Sequence, residues 1–238
     1  TRDLLLSVQK ASQSGFTSHF ENIGRTSNKG VELTVETRNI VKPKFSWSTS
    51  LTLSHNKQMV EDIGSEDFVS AMNSPGNSQY MMYGYVKGRP LNALWGFKYG
   101  GVGHNQEEIE RNKVTNTYVS ATTSLSPGLP RYIDTNNDGS LDQKDLVYLG
   151  NADPTIYGGL QNTFNIGQLK VGVYFAYSLG GKIYNYSELY MAGTYSSNQY
   201  RYMANSWHPV RNPDSNLPRA GAVQVHVPSD LQVHDASY

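Results

Sequence analysis

From Phe45 to Ser54 the chain alternates without a break between two kinds of side chain. Phe45, Trp47, Thr49, Leu51 and Leu53 fall on one face, and a row of hydroxyls, Ser46, Ser48, Ser50, Thr52 and Ser54, falls on the other. A helix would wrap both rows around its surface, so a period of two dictates an extended strand with one apolar and one wet side. Val31–Glu36 alternates in the same way. The connector Arg38–Lys44 is short and contains Pro43, which predicts a hairpin.

The design recurs downstream. Leu160–Ile166 reads as a strand, Gly167-Gln168 as a tight turn, and Val171–Leu179 as the returning strand, with Val171, Val173, Phe175, Tyr177 and Leu179 on one face. Each run is near the ~9–11 residues of a tilted transmembrane β-strand. One oily and one wet face per strand is the pattern of an outer-membrane barrel, and a half-solvated soluble antiparallel sheet gives it too. Leu91–Val102 reads as a further strand with Trp95, Phe97 and Tyr99 on one side. No helix-period segment stands out. Residues 64–156 and 186–238 read as long outer loops, so short turns lie at one end and long loops at the other, as in membrane barrels.

Composition narrows the classes. Twenty Lys and Arg balance twenty Asp and Glu, which leaves no basic field for nucleic acid. Cysteine is absent, so disulfides and thiolate metal sites are excluded. No apolar run approaches the ~20 residues of a transmembrane helix. The N-terminal Thr1–Ser7 lacks the features of a signal peptide and reads as a chain entered mid-strand, so the sequence is expected to be part of something longer.

One loop carries a ligand pattern. In Asp134–Asp145, oxygen side chains stand at positions 1, 3, 5, 9 and 12 of twelve, with glycine at position 6, the layout of an EF-hand calcium loop. Asp134, Asn136 and Asp138 would converge as the chain curls, Ser140 would offer its carbonyl, Asp142 would act through water, and Asp145 would close the shell. Leu141 would point away into packing. EF-hands carry Glu where Asp145 stands, and Asp is one methylene shorter. Calcium suits such an oxygen cage better than magnesium. The competing reading is an Asx-turn, since Asn-Asp-Gly turns form without metal. The loop holds no nucleophile or base.

Other candidates are aromatic. Tyr186, Tyr190, Tyr195, Tyr200 and Trp207 suit stacking on sugar rings, but Tyr and Trp also form the interfacial girdles of barrels. The six histidines show no metal spacing. Pairs such as Glu61-Asp62 and Glu107-Glu108 have nothing to set them across a cleft as glycosidase chemistry requires. No nucleophile elbow, Walker loop or dinucleotide fingerprint is present, so no catalytic residue is assigned and an enzyme is not expected.

A set of ordered motifs resembles the C-terminal barrel region of SusC/RagA-family TonB-dependent outer-membrane transporters. They are Asp3–Leu6, Asn22–Gly24 with Asn28–Leu33, Phe45–Trp47 leading to Leu53–Lys57, Gly88–Pro90 with Leu94–Gly101, the Asp134–Asp145 loop, Leu149–Pro154 with Tyr157–Asn162, and Gly180–Asn185. They cover most of residues 1–210, and residues 103–130 match nothing in the family's pattern. The resemblance implies an all-β fold, an antiparallel transmembrane β-barrel of roughly 22 strands to which residues 1–238 contribute a C-terminal part. It implies a Gram-negative outer-membrane location with lipid around the wall, import of oligosaccharides or, in some members, peptides, a SusD-like surface lipoprotein over the barrel mouth, and energy from TonB through an N-terminal region absent from this chain. The alternative is a soluble β-rich, calcium-stabilised carbohydrate-binding or adhesion module. Exposure separates the two: a soluble module would bury Phe45, Trp47, Leu51, Leu53, Val171, Val173 and Phe175 in a two-sheet core.

Overall fold

The structure, a computed structural model, describes residues 4–9, 18–64, 69–70, 84–111, 115–116, 126–192, 198–220 and 230–238. Five strands stand side by side in chain order and all pair antiparallel. They are β1 (Leu4–Gln9), β2 (Ser18–Lys42), β3 (Phe45–Asp62), β4 (Ile156–Ile166) and β5 (Leu169–Leu179). The register keeps like with like. Leu51 opposes Val35 on β2 and Leu160 on β4, while Ser50 on the other face opposes Glu36 and Gln161.

The oily face is not covered by the chain itself. Leu33, Val173 and Phe175 are 51%, 37% and 60% exposed, and Val31, Val35, Leu169 and Val171 are exposed as well. Phe45, Trp47, Leu51 and Leu53 are half-buried between their neighbours in the sheet. The buried hydrophobic residues belong instead to the outer end of β3 and the segments beyond the strands: Val60, Ile63, Ala93, Leu94, Trp95, Phe97 and Leu141 among them. A soluble module would reverse this distribution, because each uncovered Val or Phe side chain forgoes about 1.5–3 kcal/mol of burial in water. The sheet is therefore an antiparallel transmembrane β-barrel wall, oily toward lipid and hydroxyl-rich toward the lumen.

One polar group on the oily face is accounted for locally. Asn162 Oδ1 accepts hydrogen bonds from Trp47 Nε1 at 3.0 Å and Thr49 Oγ1 at 2.7 Å, and Trp47 stacks on Phe164 at 5.8 Å. Gly158 sits where a Cβ would lie 2.1 Å from the Thr52 carbonyl oxygen. The missing side chain lets the Tyr177 hydroxyl reach across β4 to donate to that oxygen at 2.8 Å.

Several boundaries differ from expectation. The Arg38–Lys44 connector contracts to Pro43 and Lys44, because β2 runs on to Lys42 through a bulge between Arg38 and Ile40. The bulge sets Ile40 opposite Trp47, on the oily face, and Asn39 Nδ2 anchors it by donating to Thr49 Oγ1 at 2.6 Å. Strand β4 begins at Ile156, four residues before the expected Leu160. Leu91–Val102 is not one strand but two, Ala93–Gly96 pairing with Val147–Asn151 and Tyr99–Val102 pairing with Pro130–Tyr132. Two six-residue helices, α1 (Gln106–Arg111) and α2 (Tyr186–Met191), occur where no helical period was visible. They are too short for a period to show.

Both tight turns lie at one end of the sheet, where the Gly167 N–H donates to the Lys44 carbonyl at 2.8 Å. The long excursion from β3 to β4 and the one after β5 leave from the opposite end. The second returns to the sheet: Val233–Asp235 pairs with Lys182–Tyr184, and Tyr238 exchanges backbone hydrogen bonds with Ser178 at the end of β5.

Val173 and Gly172 are neighbours on opposite faces, and a Cβ at Gly172 meets nothing within 4 Å. In the intact protein refolded into lipid vesicles, Val173→Arg is expected to lower stability by about 2–4 kcal/mol and Gly172→Arg by much less, read by denaturant titration.

Candidate functional site

The Asp134–Asp145 loop folds around its own backbone. Asp134 accepts from the Asn137 and Gly139 N–H groups, each at 2.7 Å. Asn136 Oδ1 accepts from Asp138 N at 2.9 Å, and Asp138 Oδ1 from Ser140 N at 2.8 Å. Gly139 takes the turn with φ at +82°, and Asn137 adopts +59° beside it. Leu141 is buried against Phe97 and Tyr132, so the loop is pinned to a small core as its apolar position requires. Asp142 caps a 3-10 turn over Gln143–Asp145 by accepting from Lys144 N at 2.8 Å.

Asp145 is fully buried and turned into the loop. Its Oδ1 accepts from Thr135 N at 2.8 Å, Thr135 Oγ1 at 3.1 Å and Asn136 N at 3.4 Å, and its Oδ2 accepts from Asp142 N at 2.8 Å. Burial pushes this carboxyl up, but the hydrogen bonds from Asp142, Thr135 and Asn136 outweigh burial and hold it below its usual value. Among the described residues no three His, Asp or Glu side chains are drawn together as a metal would draw them. The donor set still suits a hard cation in part. Asp134, Asn136 and Asp138 occupy one rim, with Asn136 Nδ2 donating to Asp138 Oδ2 at 2.9 Å, and each carboxylate keeps free lone pairs. Asp145 joins such a shell only by giving up backbone donors.

The aromatic candidates are not gathered on one surface. Tyr186 opens α2, whose N-cap Asn185 accepts from Glu188 N at 3.2 Å. The Tyr190 side chain and all of Tyr195 lie outside the described residues. Tyr200 stacks on Tyr202 at 5.7 Å, and the Tyr202 hydroxyl donates to Glu188, which also meets His234 Nε2 at 2.6 Å. Trp207 is the member of the set that lines a cleft, of about 770 Å³.

Three distant segments build that cleft, joined by backbone bonds. Gly128 N donates to Gly103 O at 2.8 Å, Arg219 N to Gly128 O at 2.9 Å, and Trp207 N to Leu217 O at 2.8 Å. The Trp207 ring lies so close to Gly128 that a Cβ there would be 2.4 Å from it. His104 faces the same space, held from behind by α1: Asn105 Oδ1 caps Glu108 N at 2.8 Å, and Glu108 Oε2 accepts from His104 N at 3.1 Å and meets its Nδ1 at 3.2 Å. His104 lies in residues 103–130, which match nothing in the family's pattern, and as one of six histidines without metal spacing it carried no site signal of its own. The Asn105–Glu108 capping pair was the signal available.

The geometry thus defines a class: a segment of transmembrane β-barrel wall with elaborated segments at one rim. No family model matches the chain. The chain is 31% identical over 247 residues to TonB-dependent receptor P26 of Formosa agariphila, an alignment covering 100% of the chain and 23% of that protein. It is 27% identical over 243 residues to TonB-dependent receptor P3 of the same organism, with the same coverage. Its fold is similar to that of the RagAB peptide transporter, with a TM-score of 0.70 at 18% identity over 99% of this chain and 24% of that one. The RagAB peptide importer in its open-open state gives 0.69 at 17%. Over its whole length the chain is similar to TonB-dependent receptors, and it spans about a quarter of the length of the relatives it matches.

Asp145→Ala strands the backbone donors of Thr135, Asn136 and Asp142 and is expected to cost about 3 kcal/mol or more, read as faster amide exchange over residues 132–147. The depressed carboxyl gives a pH signature as well. Its contribution is complete above the unfolded value near ~3.9 and is lost as pH falls through the lower folded value, so wild-type protection should drop only in strong acid.

Proposed function

We propose that this chain is a wall-and-rim segment of a TonB-dependent outer-membrane importer of oligosaccharides or other nutrients, peptides included, in a Gram-negative bacterium. The observation that carries the reading is the uncovered oily face of β2–β5 set against a hydroxyl-lined opposite face. Relatives named as TonB-dependent receptors support it, and structural neighbours named as a peptide importer support the wider substrate class. In this reading the strands provide the lipid seal, and Ser46, Ser48, Ser50, Thr163 and Gln161 wet the lumen. The rim segments meet a SusD-like surface lipoprotein. Energy reaches the barrel from TonB through a region outside this chain. The segment contributes no catalysis.

The soluble-module alternative requires the oily residues to be packed inside, and their exposure argues against it. Uptake of a labelled oligosaccharide or peptide by cells carrying the full-length receptor tests the importer reading. Uptake should cease when TonB is deleted, and an affinity-tagged receptor should bring a surface lipoprotein with it. TonB-independent uptake, or a chain that stays monodisperse without detergent, would count against the proposal.

Calcium is part of the same proposal. Asp134, Asn136 and Asp138 would provide side-chain oxygens, Ser140 its carbonyl, Asp142 a water-mediated contact and Asp145 the closing carboxylate, with the ion bracing the rim. Calcium at about a hundred times its dissociation constant should stabilise the excursion by about 2.7 kcal/mol relative to chelator. Asp134→Ala with Asp138→Ala should erase the difference. Equal melting with calcium and with chelator would leave the loop as an Asx-turn.

A further inference from the structure

The Trp207 cleft has no role in the wall or in the calcium loop, yet it is built rather than incidental. Its 770 Å³ falls within the range of small-molecule sites. A second hollow of about 440 Å³ shares His104, Trp207 and Pro209 with it. Trp207 is 8% exposed, and its Nε1 has no hydrogen-bond partner; neither has the buried Nε2 of His104, another residue of the lining. A buried donor without an acceptor is costly, and Trp207 Nε1 is one; the Nδ1 contact with Glu108 makes His104 Nε2 an acceptor, so it does not add to the cleft's donors.

The polarity of the lining is one-sided. His208 Nδ1 accepts from Val210 N at 3.1 Å and Arg211 N at 3.2 Å, which leaves its Nε2 as the protonated donor. Trp207 Nε1 is donor only, and Arg211 and Arg219 bring two permanent positive charges, neither in an ion pair among the described residues. Among the described residues lining this larger cleft there is no carboxylate; Glu108 lies behind His104, and Asp214 lines only the smaller hollow. The Trp207 ring with Pro127, Met203 and Pro209 supplies an apolar wall.

We propose that this cleft binds a small organic carboxylate, its anion held by Arg211 and Arg219 and its apolar body laid against Trp207. Guanidinium pairs recognise carboxylates through paired N–H donors, while the ring selects for a body with an apolar face. The carboxylate has two sources that the lining alone treats alike, a uronic acid sugar and the C-terminus of a short peptide. The inference deepens the importer reading, on which the delivery of such a ligand to the rim rests, but binding itself needs neither TonB nor the lipoprotein.

The test uses the purified full-length receptor in detergent, titrated calorimetrically with four probes: trigalacturonate, its methyl ester, a tetrapeptide with a free C-terminus, and the same peptide amidated. At least one charged probe should bind roughly ten- to hundredfold more tightly than its neutral partner, and the pair that shows this identifies the source. Arg211→Gln with Arg219→Gln should remove that preference, and Trp207→Phe, which keeps the packing against Gly128, should weaken the charged probe while leaving the melting temperature near wild type. Equal binding of charged and neutral probes, or a preference that survives the double substitution, would overturn the inference. Loss of uptake in cells with binding intact would instead count against the importer reading.

Discussion

Everything in this chain depends on backbone groups that have to find one another because lipid offers them no alternative. An unpaired N–H or C=O in hydrocarbon costs several kcal/mol, so a strand can cross a bilayer only between two partners. The ladders joining β3, β4 and β5 are unbroken, residue against residue, from Ile156–Leu179 down to Ile166–Leu169, and β2 joins them along β3 with bulges only near its ends. Side chains are then free to specialise by face, since the sheet does not rely on a packed second layer. This is why Leu33, Val173 and Phe175 can stand open to the outside without contradiction.

The same constraint divides the molecule into two regimes. Within the wall, period two rules and burial is low. Beyond β3 and β5 the chain meets water again, and ordinary core formation returns: Phe97, Tyr132 and Leu141 form one cluster, Val60 and Ile63 another. The Asp134–Asp145 loop belongs to this second regime. Its carboxylates serve first as acceptors for backbone N–H groups that no strand partner satisfies, and Leu141 ties the loop to the cluster below. A cation would work on a frame that these bonds have already bent into shape.

Motif reading was strong where chemistry repeats along the chain and weak where it converges from afar. The β3 faces, the Gly167 turn and the loop glycine at position 139 were all legible, because each depends on residues within a few positions. The true end of β2 was not, since the bulge at Asn39 is settled by Thr49 on the next strand and by the need to keep Ile40 opposite Trp47. The split of Leu91–Val102 was hidden for a similar reason: its halves pair with Val147–Asn151 and Pro130–Tyr132, partners that local alternation does not name. Of the aromatic candidates, only position in space separates Trp207, walled into a cleft with His104, from Tyr200, stacked on Tyr202.

By itself, then, the sequence determined an all-β chain with one oily and one wet face per strand, hairpins closed by short turns, and an acidic loop turning at Gly139, because alternation and turn chemistry act over neighbouring residues. Tertiary structure decided that the oily face stays uncovered, that Asp145 turns inward to its own backbone, and that His104, Trp207, Arg211 and Arg219 share one cleft. Those outcomes depend on which distant segments meet, and pairing across a hundred residues is governed by register and packing rather than by any local pattern.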